Sequence, residues 1–519
     1  MNTVSLFDRL YPPQRLADVA VLYEDRQITY EELRVATLRT AEAFHALGVG
    51  AADRVGIMLN DSPEFIASFV ALVSLEAIAV PINLALPKRE QLFILKDCGA
   101  RAAIVEASIA DALFTDTQTD LKELLLVCRD RDAVPQPGSG IRAQTLDVAP
   151  RRPLGQDFPV RGVEDHDAFI LYTSGSTGEP KGAVHQQSDI FYTNDTFCRE
   201  VLRLKQDDRL FSSSRLPFAY GLGNSFTFPL LNGVTTVLCR EKPAPDVVAR
   251  VLREYRPTIF FGVPVVYRML LEHHRKGNPL ETTSLRMCVS AGEALPPQLG
   301  EEWQTTFGIE VLDGIGSTEM LHMFISNHEG EVRYGSSGKL LAGYEARLID
   351  HEGADVPPGE VGNLWIRGDS AAGRYWQRPE SSAQTFVDGW VRTGDLYRRD
   401  ADDYWWHMGR SDDCFKPTGQ WVSPIEVENV LLKSETVRAC AVVEGFDKDG
   451  LSCVCAFVVL ESDNTAAAEA ELSALCEKEL PRFKRPRRYI FVPELPYTAT
   501  GKVQRFKLRE QLRGERKDS

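Results

Sequence analysis

The residues best suited to binding an anion follow a short apolar run at positions 169–172. This run has the length and residue types of a buried strand. The side chains after it are mostly hydroxyls or glycines, and a lysine ends the stretch: Thr173, Ser174, Gly175, Ser176, Thr177, Gly178 and Lys181. Glycines allow the backbone to approach closely, hydroxyl and main-chain N–H groups donate to oxygens, and the lysine adds a positive charge. The stretch therefore predicts a phosphate-binding loop.

This loop differs in spacing from the P-loop of kinases and GTPases. Its glycines and lysine stand as Gly175-x-x-Gly178-x-x-Lys181, which the pattern GxxxxGK[ST] does not fit. Pro180 also lacks the N–H group where a P-loop would begin its helix. The alternative is a flexible Ser/Gly surface loop, but a solvated linker rarely follows a strand so abruptly.

A second lysine of interest, Lys502, lies in the stretch PYTATGKVQR at positions 496–505. A lysine taken alone is usually a solvated surface residue. Together with the stretch YTSGSTGEPKG, however, this sequence resembles the adenylate-forming superfamily of acyl-CoA synthetases, peptide-synthetase adenylation domains and luciferases. That family activates a carboxylic acid with ATP as an acyl-adenylate. The resemblance implies that Lys502 bridges the carboxylate and the α-phosphate, where a cation offsets the negative charge of the transition state.

The resemblance also implies a nucleotide site from segments that follow predicted strands. Taken alone, Gly314-x-Gly316 indicates only a tight turn, and Asp395 after Gly394 could be an Asx-turn. Matched to the family, Thr318 touches the α-phosphate and Glu319 lies near Mg²⁺, for which one carboxylate suffices beside phosphate and water oxygens. Asp395 would accept both ribose hydroxyls, and Arg410 would be a second ribose and phosphate contact. The implied nucleotide-binding residues beyond the loop are Ala291, Gly292, Glu293, Asp313, Gly314, Ile315, Thr318, Asp395 and Arg410, and the catalytic ones are Lys502, Lys416, Thr318 and Glu319.

Three more segments, at positions 216–224, 316–327 and 416–426, resemble the benzoate-CoA ligase branch of the family. The resemblance implies an aryl-acid pocket in which Lys416 reaches the carboxylate, and a coenzyme A contact at Gly419. The implied pocket residues are Phe218, Ala219, Tyr220, Gly316, His322, Met323 and Lys416. Small residues beside a tyrosine leave a flat slot that suits a ring, although residue type alone favours Phe218 and Tyr220 as core residues.

The sequence departs from the benzoate pattern at two positions. Ser225 and Met323 stand where the branch usually carries Ala and Ile. A hydroxyl group and a flexible thioether are suited to accommodating a ring substituent. The sequence therefore predicts an aromatic acid as the substrate and leaves open whether that acid is benzoate itself.

An α/β scaffold is predicted to position these residues. Helices at 63–74 and 90–97 alternate with strands at 53–59, 77–82 and 102–105, and further strands are predicted at 235–238, 258–261, 287–290 and 311–312. Such alternation predicts mostly parallel sheets flanked by helices, with ligands gathered at the carboxyl ends of strands. Residues 130–165 are predicted to be loop-rich. From residue 361 the pattern changes to antiparallel strands, which predict a small β-barrel-like part.

A compact α+β unit of helices at 424–432 and 466–480 and strands at 438–443 and 453–460 follows the turn-rich residues 409–413. The resemblance places a hinge at Asp412 between two domains. Residues 1–411 would form the large adenylate-forming domain, and residues 412–519 would form a small mobile lid that carries Lys502.

Composition narrows the class of protein. The 519 residues carry a net charge of −15, which argues against a nucleic-acid partner. Ten cysteines without a CxxC pair suit a reducing cytoplasm. The most apolar stretch, at 65–75, is far shorter than the roughly 20 residues of a membrane span, and the first residues lack the pattern of a signal peptide. We expect a cytoplasmic protein without a membrane partner, as a monomer or homodimer.

The sequence therefore predicts an ATP- and Mg²⁺-dependent ligase that joins an aromatic carboxylate, benzoate or a substituted benzoate, to coenzyme A through an aryl-AMP intermediate. One alternative is a stand-alone adenylation enzyme that loads the aryl acid onto a separate carrier protein. Another is a nucleotide-binding regulator that uses the lid as a switch. Release of pyrophosphate that depends on added acid would separate the enzyme from the regulator.

Overall fold

The structure is a computed structural model that describes residues 5–107, 109–110, 123–127, 142–146, 166–173, 180–417, 420, 422–447, 451–461, 465–497 and 503–515. Several residues named above lie outside these ranges. They are Ser174, Gly175, Ser176, Thr177 and Gly178 of the predicted phosphate loop, the predicted coenzyme A contact Gly419, and the predicted catalytic residue Lys502.

The largest sheet among the described residues has nine strands. In spatial order they are Lys339–Leu340 (β16), Met323–Ser326 (β15), Val311–Gly316 (β14), Met287–Ser290 (β13), Ile259–Gly262 (β12), Arg209–Ser212 (β10), Thr235–Leu238 (β11), Val19–Tyr23 (β1) and Arg26–Thr29 (β2). The strands from β14 to β1 pair in parallel. The edge strands β2, β15 and β16 pair antiparallel.

A second sheet has eight described strands and also a parallel centre. Its order is Arg374–Tyr375 (β19), Lys181–His185 (β9), Phe169–Thr173 (β8), Ile78–Pro81 (β4), Arg54–Met58 (β3), Ala102–Glu106 (β5), Glu123–Val127 (β6) and Arg142–Leu146 (β7). Strands β8 and β9 form an antiparallel hairpin at one side, and β19 adds to β9 antiparallel.

Helices cover these sheets and connect their strands. Those of the first 411 residues are Leu6–Leu10 (α1), Tyr30–Ala46 (α2), Pro63–Ser74 (α3), Lys88–Asp97 (α4), Gln187–Thr193 (α5), Ala219–Leu222 (α6), Phe228–Asn232 (α7), Pro245–Tyr255 (α8), Pro264–Arg275 (α9), Pro297–Phe307 (α10) and Pro379–Thr385 (α11), with π-helical segments Asn194–Leu202 and Gly223–Thr227 and a 3₁₀ turn at Pro13–Arg15. Helix α2 begins at a capping box in which Thr29 and Glu32 exchange side-chain and backbone hydrogen bonds. Helix α3 is apolar and buried on all sides, and Phe69 contacts both Phe169 and Phe226.

The remaining strands form two small sheets. One contains Glu345–Ile349 (β17), Val361–Arg367 (β18), Phe386–Val387 (β20), Trp390–Arg399 (β21) and Trp405–Arg410 (β22), all paired antiparallel. The other contains Val437–Phe446 (β23), Ser452–Leu460 (β24) and Arg488–Phe491 (β25), and it packs with helices Pro424–Leu431 (α12), Thr465–Glu479 (α13) and Arg505–Glu515 (α14) and a 3₁₀ turn at Arg482–Lys484.

The predicted fold class is confirmed, and the differences are local. Strand β14 continues to Gly316, whereas the sequence predicted its end at residue 312 and a turn beyond. Strand β7 lies within the region predicted to be loop-rich. Strand β25 and helix α14 were not predicted. In the described part of the chain, no helix is long and apolar enough to cross a membrane, and the nine described cysteines are free thiols.

Candidate active site

The β8–β9 hairpin supports the predicted phosphate loop from both sides. Thr173 and Lys181 are directly opposite each other at its end, so the two ends of the loop are adjacent. The strand before the loop is anchored by Tyr172, whose hydroxyl donates to Asp97 Oδ2 at 2.7 Å. Arg378 donates to the other oxygen of the same carboxylate. The base of the loop is thus tied to α4 and to the N-terminus of α11.

Lys181 is linked through Tyr375 to Glu319, the carboxylate predicted to hold Mg²⁺. Its Nζ lies 5.5 Å from the centroid of the Tyr375 ring. The Tyr375 hydroxyl in turn donates to Glu319 Oε1 at 2.5 Å. The carbonyl oxygen of Glu319 accepts the backbone N–H of Ala372 at 2.7 Å. The structure therefore brings Lys181 and Glu319 into one cluster through Tyr375, which the sequence reasoning did not identify.

Thr318 precedes Glu319 in a tight turn that follows β14. Leu321 N donates to the Thr318 carbonyl at 3.1 Å, and Met320 N donates to Ser317 Oγ at 3.2 Å. The Thr318 carbonyl also faces the Nε2 atom of His185 at 2.8 Å. His185 was not predicted as a site residue, and an isolated histidine at the end of a strand carries no motif that could have revealed it.

The predicted adenine segments lie at the ends of neighbouring parallel strands. Ala291, Gly292 and Glu293 follow β13, and Gly292 has φ +93°, a conformation that favours glycine. Asp313 in β14 is buried, and its Oδ2 accepts the backbone N–H of Leu295 at 3.2 Å. Asp313 therefore braces this loop from within the protein. Burial raises the pKa of the Asp313 carboxyl to about 7.

Gly314, Ile315 and Gly316 lie inside β14 and not in a turn, because β15 folds back closely on them. A Cβ atom on Gly314 would lie 2.5 Å from the carbonyl oxygen of Ile325. The glycine is required here by the approach of the neighbouring strand. Ile315 and Gly316 are partly exposed.

The predicted ribose residues face each other on β21 and β22. Asp395 is opposite Arg410, and Arg410 Nη1 lies 3.6 Å from Asp395 Oδ1. Arg410 Nε lies 3.4 Å from Oδ1 of the predicted hinge residue Asp412. Burial lowers the pKa of Arg410, but the carboxylates of Asp395 and Asp412 raise it by more than that. The pKa of Arg410 is therefore above its ordinary value. His407, another residue that the sequence did not reveal, places Nε2 3.4 Å from Asp395 Oδ1.

Tyr220 occupies the centre of the predicted aryl pocket. Its hydroxyl donates to the Val289 carbonyl at 3.2 Å, at the end of β13. Its ring packs edge-on against Phe261 and lies 5.6 Å from the His322 ring. Phe218, Ala219 and Tyr220 are only partly buried. The Tyr220 ring is therefore packed against the core, although the residue as a whole is only partly buried.

His322 and Met323 form the buried side of this region. Nε2 of His322 lies 3.2 Å from Asn224 Oδ1, and burial lowers the pKa of His322 to about 3, so its ring is neutral. Met323 is buried and pairs with Gly316 across β14 and β15. The structure brings Tyr220, His322, Met323 and Gly316 together. Lys416 is exposed on the segment closed by the bridge between Phe415 and Val422, and its proposed contact with the carboxylate stays a prediction.

The C-terminal unit meets the rest of the protein on the side of Glu293. Arg268 of α9 donates to the carbonyl of Arg438 in β23. Tyr497 and Val503, which flank the segment containing Lys502, form an antiparallel bridge. Glu293 raises the pKa of Tyr497, in addition to the larger effect of partial burial. Tyr497 thus lies within electrostatic reach of Glu293.

The protein belongs to the AMP-binding enzyme family, which matches residues 12–376, while the AMP-binding enzyme C-terminal domain matches residues 426–502. Benzoate–CoA ligase of Thauera aromatica is 40% identical over 487 residues, covering 93% of this chain and 90% of that protein. The predicted membership of the adenylate-forming superfamily and of its benzoate-CoA ligase branch is confirmed.

Two solved structures are similar over nearly the full length. The anthranilate CoA ligase AuaEII in complex with anthranoyl-AMP has a TM-score of 0.91 and 36% identity, covering 99% of this chain and 98% of that one. A benzoate CoA ligase from Burkholderia xenovorans LB400 has a TM-score of 0.84 and 36% identity, covering 97% and 99%.

Proposed function

We propose that this protein is an ATP-dependent aryl-CoA ligase that activates benzoate or a substituted benzoate as an aryl-adenylate. Pyrophosphate leaves in the first step, coenzyme A displaces AMP in the second, and the enzyme is thus an AMP-forming acid–thiol ligase. The observation that carries the proposal is the full-length likeness, in sequence and in fold, to benzoate- and anthranilate-CoA ligases. The Tyr220 ring, which lies 5.6 Å from the neutral His322 ring, supports an aromatic acid as the substrate.

The nucleotide would lie along the ends of β13 and β14. Asp395 would accept the ribose hydroxyls, and Arg410 would contact the ribose and phosphate, since their side chains face each other at 3.6 Å. Thr318 would contact the α-phosphate from the turn after β14. Lys181 and the loop that it closes would hold the β- and γ-phosphates.

Glu319 is suited to hold Mg²⁺ together with the phosphates. One of its oxygens is engaged by Tyr375, and the side chain is partly exposed. Mg²⁺ usually binds through one or two carboxylates, substrate phosphates and water. The cation would neutralise phosphate charge as pyrophosphate leaves.

The domain boundary and the lid are part of the proposal. Residues 412–519 would rotate about Asp412, so that Lys502 serves adenylation and another face of the lid, with Gly419, serves thioester formation. Lys502 would neutralise charge between the carboxylate and the α-phosphate. The electrostatic effect of Glu293 on Tyr497 supports a C-terminal unit that meets the rest of the protein beside the nucleotide site.

The protonation of the His322 ring nitrogens favours an aryl acid whose ring substituent donates a hydrogen bond. With Asn224 Oδ1 as the acceptor, Nε2 carries the proton. In a neutral ring Nδ1 then keeps a lone pair, and no side-chain donor among the described residues is paired with it. An unpaired buried acceptor costs about 1–3 kcal/mol. An amino or hydroxyl group that reaches Nδ1 would recover this energy, which supports an amino- or hydroxybenzoate as the preferred acid.

The test is ATP–pyrophosphate exchange across benzoates, phenylacetates, cinnamates and fatty acids, followed by measurement of acyl-CoA formation. We expect the highest kcat/KM for a benzoate, with an amino- or hydroxybenzoate above benzoate itself. A cinnamate or fatty acid that exceeds every benzoate tenfold, about 1.4 kcal/mol, would contradict the pocket assignment. Equal rates for all benzoates, in the native enzyme and in Ser225→Ala, would remove the substituent preference. Exchange without acyl-CoA formation would favour a carrier protein as the acceptor.

A further inference from the structure

His185, the last residue of β9, is fully buried and faces a partner at each ring nitrogen. Nδ1 lies 2.8 Å from Asp189 Oδ2, and Nε2 lies 2.8 Å from the carbonyl oxygen of Thr318. The ring also stacks on Phe169 of β8, with centroids 5.2 Å apart and an interplanar angle of 16°. His185 therefore connects the β8–β9 hairpin to a turn that lies 133 residues away in the chain.

Both partners of this ring are hydrogen-bond acceptors. A peptide carbonyl has no proton to give, so Nε2 must donate to Thr318. Asp189 Oδ2 also accepts the backbone N–H of Gln186 at 3.1 Å, and it faces Nδ1 across one shared proton. His185 and Asp189 thus form a buried hydrogen-bonded pair, whose side chains are 0% and 5% exposed.

Such a buried pair requires hydrogen bonds for both members, since a buried polar group without a partner is costly. That condition is met here, because both ring nitrogens of His185 and the Oδ2 atom of Asp189 are engaged. The Asp189 carboxyl therefore fixes the orientation in which Nε2 donates to the Thr318 carbonyl.

The turn held by His185 has a second tie to the same strand. Lys181 at the start of β9 contacts the Tyr375 ring, and Tyr375 donates to the Glu319 carboxylate. His185 at the end of β9 holds the carbonyl of the preceding residue, Thr318. The two ties fix the Thr318–Glu319 turn relative to the hairpin that carries the predicted phosphate loop.

We propose that His185 is a positioning residue for adenylate formation. By donating to the Thr318 carbonyl from a ring locked by Asp189 and Phe169, it keeps the Thr318 hydroxyl and the Glu319 carboxylate at a fixed separation from the phosphate loop, so that one triphosphate can contact all three. His185 acts through Thr318. The inference rests on the proposed function, because the geometry it maintains is that of ATP activation.

Three variants separate the bond to Thr318, the pairing with Asp189 and a general effect of mutation. His185→Phe removes both ring nitrogens but retains a flat ring that can stack on Phe169. Asp189→Asn changes the partner of Nδ1 and gives up the bond that Oδ2 accepts from Gln186 N, but it keeps the bond to Thr318, since the amide can donate to Nδ1 of a ring whose Nε2–H still faces the carbonyl. His351→Phe is the matched control, because that histidine is 91% exposed.

In ATP–pyrophosphate exchange with the full-length enzyme, we expect kcat of His185→Phe to fall 10- to 100-fold, the range that a misplacement of about 1 Å can cause. KM for ATP should rise, whereas KM for the aryl acid should stay within twofold. Asp189→Asn and His351→Phe should stay within threefold of the native enzyme. Activity of His185→Phe within twofold of native, or an equal rise of both KM values, would overturn the proposal.

A spectroscopic measurement tests the same inference without turnover. Selective ¹⁵N labelling of the nine histidines should show a ring with a protonated Nε2 that is missing from His185→Phe and retained in Asp189→Asn. An unprotonated Nε2 in native His185 would overturn the proposal. If His185→Phe fails to fold, judged by circular dichroism, the spectra and exchange rates of native protein and Asp189→Asn decide. Absence of exchange with any aryl acid in the native enzyme would instead refute the proposed function and leave the spectrum as the test of the ring.

Discussion

Asp313 should make the stability of this protein depend on pH in an unusual direction. Burial raises the pKa of its carboxyl from 3.8 to about 7. Between those values the folded protein holds a proton that the unfolded chain has released. Folding then takes up a proton, so the free energy of unfolding falls as the pH rises from about 4 to about 7. Above pH 7 the penalty is complete, and at 1.36 kcal/mol per pKa unit it amounts to about 4 kcal/mol.

The variant Asp313→Asn should remove this penalty while preserving the bond to Leu295, because the amide oxygen can accept the same N–H group. We expect its melting temperature to exceed that of the native protein by several degrees at pH 8. The difference should vanish as the pH falls toward 4. Thermal melts followed by circular dichroism at half-unit pH intervals measure both effects.

Asp208→Asn provides a control of opposite sign. Burial raises the pKa of Asp208, but hydrogen bonds from Arg286, Lys205 N and Thr258 lower it by more than that. The pKa of Asp208 is therefore below its ordinary value. Its stabilisation is present above the unfolded pKa and is lost as the pH falls through the folded value. Asp208→Asn should therefore destabilise the protein at pH 8. Parallel melting curves for native protein and Asp313→Asn from pH 4 to pH 8 would refute the reasoning on Asp313.

Three further predictions concern the reaction. Lys502→Ala should lower the rate of adenylation about 10²–10³-fold or more. With pre-made benzoyl-AMP and coenzyme A, the same variant should form the thioester at a rate within a few-fold of the native enzyme. Equal loss of rate in both steps would exclude an alternating lid. Asp412→Pro should show the reverse, because proline blocks rotation at the hinge, and retained thioester formation would exclude Asp412 as that hinge. Tyr375→Phe removes a charge-assisted bond from Glu319 worth about 1.5–3 kcal/mol, so the Mg²⁺ concentration for half-maximal exchange should rise, and an unchanged Mg²⁺ titration would separate Tyr375 from the cation site.

The sequence alone predicted those helices and strands whose capping, starting and apolar residues are all present. The helix at 63–74 was predicted with the bounds of α3, because Ser62 caps its N-terminus, Pro63 begins it and apolar residues fill it to Ser74. The strand at 287–290 likewise matches β13. The predicted end of β14 was wrong because Gly314 and Gly316 were interpreted as turn residues. Their actual requirement is space for β15, a contact between chain segments that strand propensity does not encode.

The candidate site divides in the same way. Residues within long motifs, such as Lys181, Thr318 and Asp395, could be assigned from the resemblance, and their roles stay predictions. His185 and Tyr375 could not be found, because their significance comes from partners far along the chain. Tyr220 could not be decided from residue type, and the structure gives the reason: its hydroxyl bonds to the core, yet the residue is only partly buried.

The position of β1 in the nine-stranded sheet has a consequence for synthesis of the chain on the ribosome. Strand β1 ends at Tyr23, but its parallel neighbour β11 begins at Thr235. At about 5–20 residues per second, roughly 10–40 s pass before that partner emerges. During this time only the short antiparallel partner β2 can protect one side of β1. We expect nascent chains shorter than about 240 residues to expose this apolar edge and to recruit chaperones that release once β11 has been made.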